Sequence, residues 1–317
     1  MLGVTSRGLG RLEALLAEPD VSEVMVNGGP VWVERAGRLE PAELTLGQAD
    51  LRLLVDRLAS AGGVRVDRAS PLADLRLPDG SRANVVLPPV ALGGPHVTIR
   101  RFVLRRATLG DFGSRPVAEL LEDAVRRRRD IVVVGGTSSG KTTLLNAMAS
   151  AVPHGERVVT VEDTAELVLD HPHVVGLEAR RANADGVGEV TVRRLVVNAL
   201  RMRPDRIIVG EVRGAEVLDM AQAMNTGHEG SLSTCHANSP RDALRRLEAM
   251  ALLAEADLPL GFVRAQLAAA VDVLVHVGRD AGGRRAVVGI VEVGEDADWA
   301  SGTGLVSRYD QGGRRAP

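Results

Sequence analysis

An apolar run, Ile131-Val132-Val133-Val134, leads straight into Gly135-Gly136-Thr137-Ser138-Ser139-Gly140-Lys141-Thr142, and a helical pattern follows from about Lys141 to Ala151. Those eight residues fit G-x-x-x-x-G-K-[ST] in the strand-then-helix setting that the pattern requires. Glycines let successive backbone N–H groups wrap a phosphate without Cβ clashes. The helix N-terminus contributes its positive end. Lys141 is placed to reach the β- and γ-phosphates, and the Thr142 hydroxyl to ligate Mg²⁺. Thr143, next in the first helical turn, joins the phosphate-binding set. Composition sharpens this reading. Among 39 basic residues Lys141 is the one lysine, and a guanidinium does not replace a compact ammonium in a tight anion site.

The rest of the composition mainly excludes. A chain of 317 residues suggests two domains or one large α/β domain. With 45% hydrophobic and 25% charged residues, extensive disorder is excluded. A net charge of −2 rules out a uniformly basic coat for nucleic acid. Cys235 is the single cysteine, so neither a disulfide framework nor a zinc site of several thiolates can form. No apolar run nears the roughly 20 residues that span a bilayer. The first residues lack the layout of a secretory signal. A cytoplasmic protein is expected.

The first third reads as a small α+β unit, domain 1–105. Leu9, Leu12, Leu15 and Leu16 mark a helix stopped at Pro19. VSEVMVNG and VWVERAGRL read as two strands about the turn 27–30. Leu51, Leu54, Val55 and Leu58 mark a second helix ended by Gly62-Gly63. LADLRLPDGSRANVVLPP reads as a hairpin about Pro78-Asp79-Gly80, and HVTIRRF as a further strand. Residues 106–116 read as a linker. From 117 to 295 strands and helices alternate, the pattern of an α/β domain. RRAVVGIVEV reads as its edge strand, and 296–317 as a loose tail.

Three more clusters carry chemistry. Glu162 and Glu166 follow the strand RVVTV, and strand ends beside a phosphate site are where α/β proteins place reactive groups. Both are candidates for orienting a water. Arg206-Ile207-Ile208-Val209-Gly210-Glu211 resembles a Walker B strand with Gly210 where Asp is common. Glu211 then acts through Mg²⁺-bound water or polarises a water itself. His228 and His236 flank a Ser/Thr-rich strand, and a γ-phosphate sensor suits them better than zinc, which lacks a third ligand. With no second lysine a small GTPase is disfavoured, and no LSGGQ-like stretch supports a transporter cassette.

With these blocks in hand, residues 10–295 closely resemble the type II/type IV secretion ATPase superfamily, most nearly the CpaF-type ATPases of Flp/Tad pilus assembly. The four blocks match that family's Walker A, Asp box, Walker B and His box in order, and SEVMVNGG, SPLADLRLPDGSRANVVLPP and VTIRRF match its N-terminal domain. The resemblance implies a RecA-like P-loop NTPase core preceded by a small α+β domain. It implies a homohexameric ATP-hydrolysing motor using Mg²⁺, peripheral at the inner face of the cytoplasmic membrane through inner-membrane platform proteins. Glu162 and Glu211 resemble the catalytic carboxylates and His236 the γ-phosphate sensor. Arg201 and Arg213 fall at arginine positions lining the site. Arg82, Arg100 and Arg101 resemble the N-terminal arginines that reach nucleotide. CpaF-like chains often carry a longer N-terminal extension, so an extra docking segment is expected to be absent here. A conjugation ATPase of the same superfamily is the alternative, followed by a non-hydrolysing nucleotide-gated scaffold. A nucleic-acid motor is disfavoured, because two tryptophans and a balanced charge give no stacking track.

Overall fold

A computed structural model of the chain describes residues 8–35, 37–101, 107–180, 182, 187–280 and 283–311. The chain splits into two compact units, the first holding Met1–Leu104 and Asn183–Val187 and the second the rest.

In the first unit, a 3-10 turn (Gly10–Leu12) leads into α1 (Glu13–Ala17), then β1 (Val21–Asn27), β2 (Pro30–Arg35), β3 (Arg38–Thr45), α2 (Gln48–Gly62), β4 (Leu72–Arg76), β5 (Arg82–Val86) and β6 (His96–Arg100). The sheet order is β3-β2-β1-β6-β5-β4, antiparallel throughout. Period-2 alternation turns Val24, Val26, Val33, Val85, Val97 and Ile99 inward, where Leu51, Leu54, Val55 and Leu58 of α2 cover them. VWVERAGRL is not one strand. Gly37 (φ +83°) reverses the chain, and Arg38-Leu39 begin β3.

The second unit opens with a 3-10 turn (Leu109–Phe112) and continues with α3 (Arg115–Arg126), β7 (Ile131–Gly135), α4 (Lys141–Ala149), β8 (Val158–Glu162), β9 (Val174–Glu178), α5 (Val192–Ala199), β10 (Arg206–Val212), α6 (Glu216–Asn225), β11 (Leu232–His236), α7 (Pro240–Ala254), α8 (Leu260–Ala270), β12 (Val273–Arg279), β13 (Arg285–Asp298) and β14 (Thr303–Asp310). The sheet order is β14-β13-β12-β7-β11-β10-β8-β9. From β12 to β9 neighbouring strands are parallel, and β13 and β14 extend the sheet antiparallel. Alternate residues of β7 serve two cores. Ile131 and Val133 pack with Leu144, Leu145 and Met148 of α4, while Val132 and Val134 pack with the layer containing α6, α7 and α8.

Two boundaries differ from the expectation. The stretch 106–116 is not only linker: Thr108 and Asp111 form a reciprocal capping box on the 3-10 turn, and Phe112, 3% exposed, belongs to the α3/α4 core. Residues 296–317 are not a loose tail over their described length. The buried Trp299 donates from Nε1 to Glu248 (2.8 Å), and β14 pairs with β13. β14 rather than β13 is therefore the edge strand, and its mostly exposed side chains need no apolar alternation. Residues 312–317 lie outside the described set.

Polar groups pin the sheet edge at the strands' N-terminal ends. The buried Arg206 donates to Glu156 (2.6 Å) and to the carbonyls of Val125 (2.8 Å) and Gly230 (3.2 Å). The Asp130 carboxylate accepts from Ser231 N (2.8 Å), while its own N–H donates to Asp272 (2.8 Å).

Candidate active site

Chemistry-bearing residues gather where parallel strands end at their carboxyl edge, the edge that binds ligands in open α/β sheets. Gly135 ends β7 and pairs in register with His236 at the end of β11. Glu162 ends β8, and Glu211 lies near the end of β10.

The loop after β7 has the predicted form. A Cβ on Gly135 would lie 2.5 Å from both Ser139 Oγ and the Val277 carbonyl, so only glycine fits. Space is open at Gly136. Ser138 (φ +58°) and Gly140 (φ +102°) take left-handed conformations that turn the chain into α4. The Lys141 ammonium donates to the carbonyls of Gly135 (3.1 Å) and Gly136 (2.9 Å). Burial lowers its pKa, and Glu211 opposes that shift. Ser139 Oγ is buried without a hydrogen-bond partner in the described structure. A buried polar atom facing such a loop fits a site that receives an anion's oxygens. Thr142 and Thr143 sit in the first turn of α4, so the predicted phosphate set from Gly135 to Thr143 is brought together.

The carboxylates have different surroundings. Glu162 is 5% exposed, and its Oε2 accepts from the N–H groups of Glu166 (2.7 Å) and Leu167 (3.0 Å). Burial outweighs those bonds and raises its pKa to about 7. Glu211 accepts from Nε of Arg213 (2.7 Å), which also binds it through Nη2 and approaches Asp163 (3.6 Å). Val209 pairs with Ser233 and Val212 with Cys235, so Gly210 and Glu211 together oppose Thr234. That irregularity re-aims the Glu211 side chain. The Thr234 hydroxyl fastens it by donating to the Gly210 carbonyl (2.7 Å). Cys235 is buried, which raises its thiol to about 11 and leaves it a packing residue.

Within the second unit, two predicted residues do not arrive at this edge. Arg201 follows α5, which runs back toward the strands' starts, and the neighbouring Met202 carbonyl accepts from Arg157, just before β8. Arg201 lines a groove of about 400 Å³ with Arg193, Arg194, Val197, Asn198 and Asp219. His228 precedes β11 and lies toward the same far edge. In the first unit Arg82 and Arg100 are direct cross-strand partners. Arg101 instead donates to the carbonyls of Glu18 and Val21 (2.7 Å to Val21). Two residues escape sequence reasoning. Glu216 Oε1 caps the turn after β10 by accepting from Arg213 N (2.6 Å) and Gly214 N (2.9 Å). Arg285, at the start of β13, lies against Gly140, its Cδ 2.9 Å from where a Cβ would sit. A carboxylate two residues past a glycine hinted at the first, and no local signal marks the second.

Residues 5–287 match the family model described as type II/IV secretion system protein. The chain belongs to the type II/IV secretion ATPase family. A relative from Mycobacterium tuberculosis, provisionally named for conjugal transfer, is 47% identical over 293 residues, 88% of this chain and 82% of that protein. The VirB11 ATPase of the Brucella suis type IV secretion system, solved with sulphate, is 32% identical and covers 90% of this secretion ATPase and 94% of that chain, with a TM-score of 0.50. The Legionella pneumophila ATPase DotB, at 19% identity, shares the fold over 89% of this chain and 82% of its own, with a TM-score of 0.64.

Proposed function

We propose that this secretion ATPase hydrolyses ATP as a hexameric motor, using the carboxyl edge of its sheet as the active site. The observation that carries the reading is the convergence of a lysine-bearing phosphate loop with Glu162 and Glu211 at neighbouring strand ends. The loop N–H groups and Lys141 bind the phosphate chain. A water oxygen bonds to the γ-phosphorus as the bond from that phosphorus to the bridging oxygen breaks, leaving ADP. Glu211, oriented by Arg213, takes the water's proton, and Glu162 orients the water. The Thr142 hydroxyl and the two carboxylates are hard oxygen donors that fit Mg²⁺, whose charge would offset that of the phosphate oxygens. His236, level with Gly135, senses the γ-phosphate.

The work is assembly or export at a membrane. Among the described residues no helix is long and apolar enough to cross a bilayer. In this reading the motor acts through inner-membrane platform proteins from their cytoplasmic side. The motif resemblance favours a Flp/Tad-type pilus or secretion system. The relatives named for conjugal transfer and type IV secretion support the conjugation branch as the second reading.

The test is Mg²⁺-dependent ATP hydrolysis with light-scattering mass, with and without nucleotide, for the parent, Lys141→Ala and Glu211→Gln. A turning-over species near six times 33.5 kDa is expected. Lys141→Ala should lose nucleotide binding, and Glu211→Gln should bind ATP and hydrolyse it poorly. A parent that binds ATP without turnover would replace the motor with a gated scaffold.

A further inference from the structure

Gly210 stands where a Walker B strand ordinarily carries its metal-binding aspartate. Its backbone gives no reason for glycine, since Gly210 is absent from the positive-φ residues. The reason is spatial. Val209 pairs with Val161 in parallel register, which sets Gly210 level with Glu162 on the adjacent strand. A Cβ at 210 would lie 2.9 Å from Glu162 Cγ, 3.3 Å from its Oε2 and 3.5 Å from its Cβ. Glu162 cannot swing clear at no cost, because the N–H groups of Glu166 and Leu167 hold its carboxylate. Gly210 cannot retreat freely either, since Thr234 holds its carbonyl.

We infer that Gly210 is a positioning residue whose missing side chain leaves room at β10 for the Glu162 carboxylate, so that the acid of a Walker B strand is delivered from β8 instead. The inference rests on the ATPase reading above. It explains two oddities together: a Walker B strand without its first acid, and a strand-end glutamate buried against that strand. Glu162 and Gly210 are one unit split over two strands, and exchanging the carboxylate between them should preserve it.

The experiment compares the parent, Gly210→Ala, Gly210→Asp, Glu162→Ala and the double variant Glu162→Ala/Gly210→Asp. Each is measured for kcat and KM, for ATP affinity with Mg²⁺ against affinity in EDTA, and for cooperative melting. Gly210→Ala should lower kcat about tenfold or more with KM little changed, as removal of a transition-state contact does. Gly210→Asp, with two carboxylates forced into one space, should be no better than Glu162→Ala. The double variant should exceed Glu162→Ala by about tenfold in kcat and recover the Mg²⁺ enhancement of ATP affinity, the signature of coupled sites. Parental kcat in Gly210→Ala, or a double variant that melts cooperatively yet matches Glu162→Ala in both readouts, would overturn the inference. If the parent binds ATP without turning it over, the motor reading falls, and the Mg²⁺ enhancement of affinity still decides whether the carboxylate can be exchanged.

Discussion

Asp130 makes stability fall as pH rises, and Asp130→Asn should remove that dependence. The residue sits where β7 begins, 5% exposed, accepting from the N–H groups of Ser231 and Gly230. Asp272, itself bound by Arg129 (3.3 Å), faces it, with Glu229 nearby. Burial, opposed by the N–H groups and reinforced by the two acids, raises its pKa from 3.8 to about 8. Between those values the unfolded chain has lost the proton that the folded chain keeps. Stability therefore declines as pH rises from about 4 to about 8 and is level above. Each pH unit is worth about 1.4 kcal/mol, so the ideal loss from about pH 5 to pH 8 is roughly 4 kcal/mol. Asparagine keeps the acceptor for Ser231 N and offers Asp272 a donor without a charge to desolvate. Urea unfolding should find the variant more stable than the parent by about 2–4 kcal/mol at pH 8, with little difference near pH 4. Glu162, also raised, contributes equally to both proteins and cancels in the comparison. A variant less stable than its parent at pH 8, or one with the same pH slope, would refute the reasoning.

Arg206→Ala leaves Glu156 with Arg128 alone (3.2 Å) and empties a buried site that ties the carbonyls of Val125 and Gly230. It should cost about 3–5 kcal/mol by urea unfolding, and a loss below about 1 kcal/mol would place the pair outside the stabilising framework. Trp299→Ala should cost about 3–5 kcal/mol, since the indole is fully buried and bonded to Glu248. An unchanged urea midpoint would show that the C-terminal hairpin unfolds apart from the rest. Arg101→Ala should lower stability by about 1–2 kcal/mol through its lost carbonyl partners while leaving ATP affinity unchanged in a binding titration. Weakened ATP binding at parental stability would place Arg101 in the nucleotide-contacting set.

What could be read from sequence was what is local. The loop from Gly135 to Thr142 is contiguous, and its glycines and lysine declare their purpose without knowledge of the fold. The helix through Leu51 and Leu58 and the hairpin about Asp79-Gly80 follow from periodicity and turn chemistry. Relations across strands were not available. Gly210 looked like a missing acid because nothing in the chain says that β8 lies beside β10, 48 residues on from Glu162 to Gly210 by number. The motif groups Arg201 with the site, yet α5 runs antiparallel to the strands and carries it to the other edge. β14 leaves no mark in the sequence, because an edge strand open to solvent lacks apolar alternation. Arg285 meets Gly140 only after the chain has crossed the sheet several times.

Order in the sheet and order in the chain disagree at the reactive edge. Across the sheet the strands run β7, β11, β10, β8, whereas the chain visits β7, β8, β10, β11. The loop, His236, Glu211 and Glu162 therefore ride on four separate rails, each about 4.8 Å from the next. Their lateral spacing is a property of the ladder's hydrogen bonds, and no single loop can widen it. In the proposed motor, a stroke that loosens the grip on nucleotide must be made by parts that lie off the rails, while the ruler itself stays fixed.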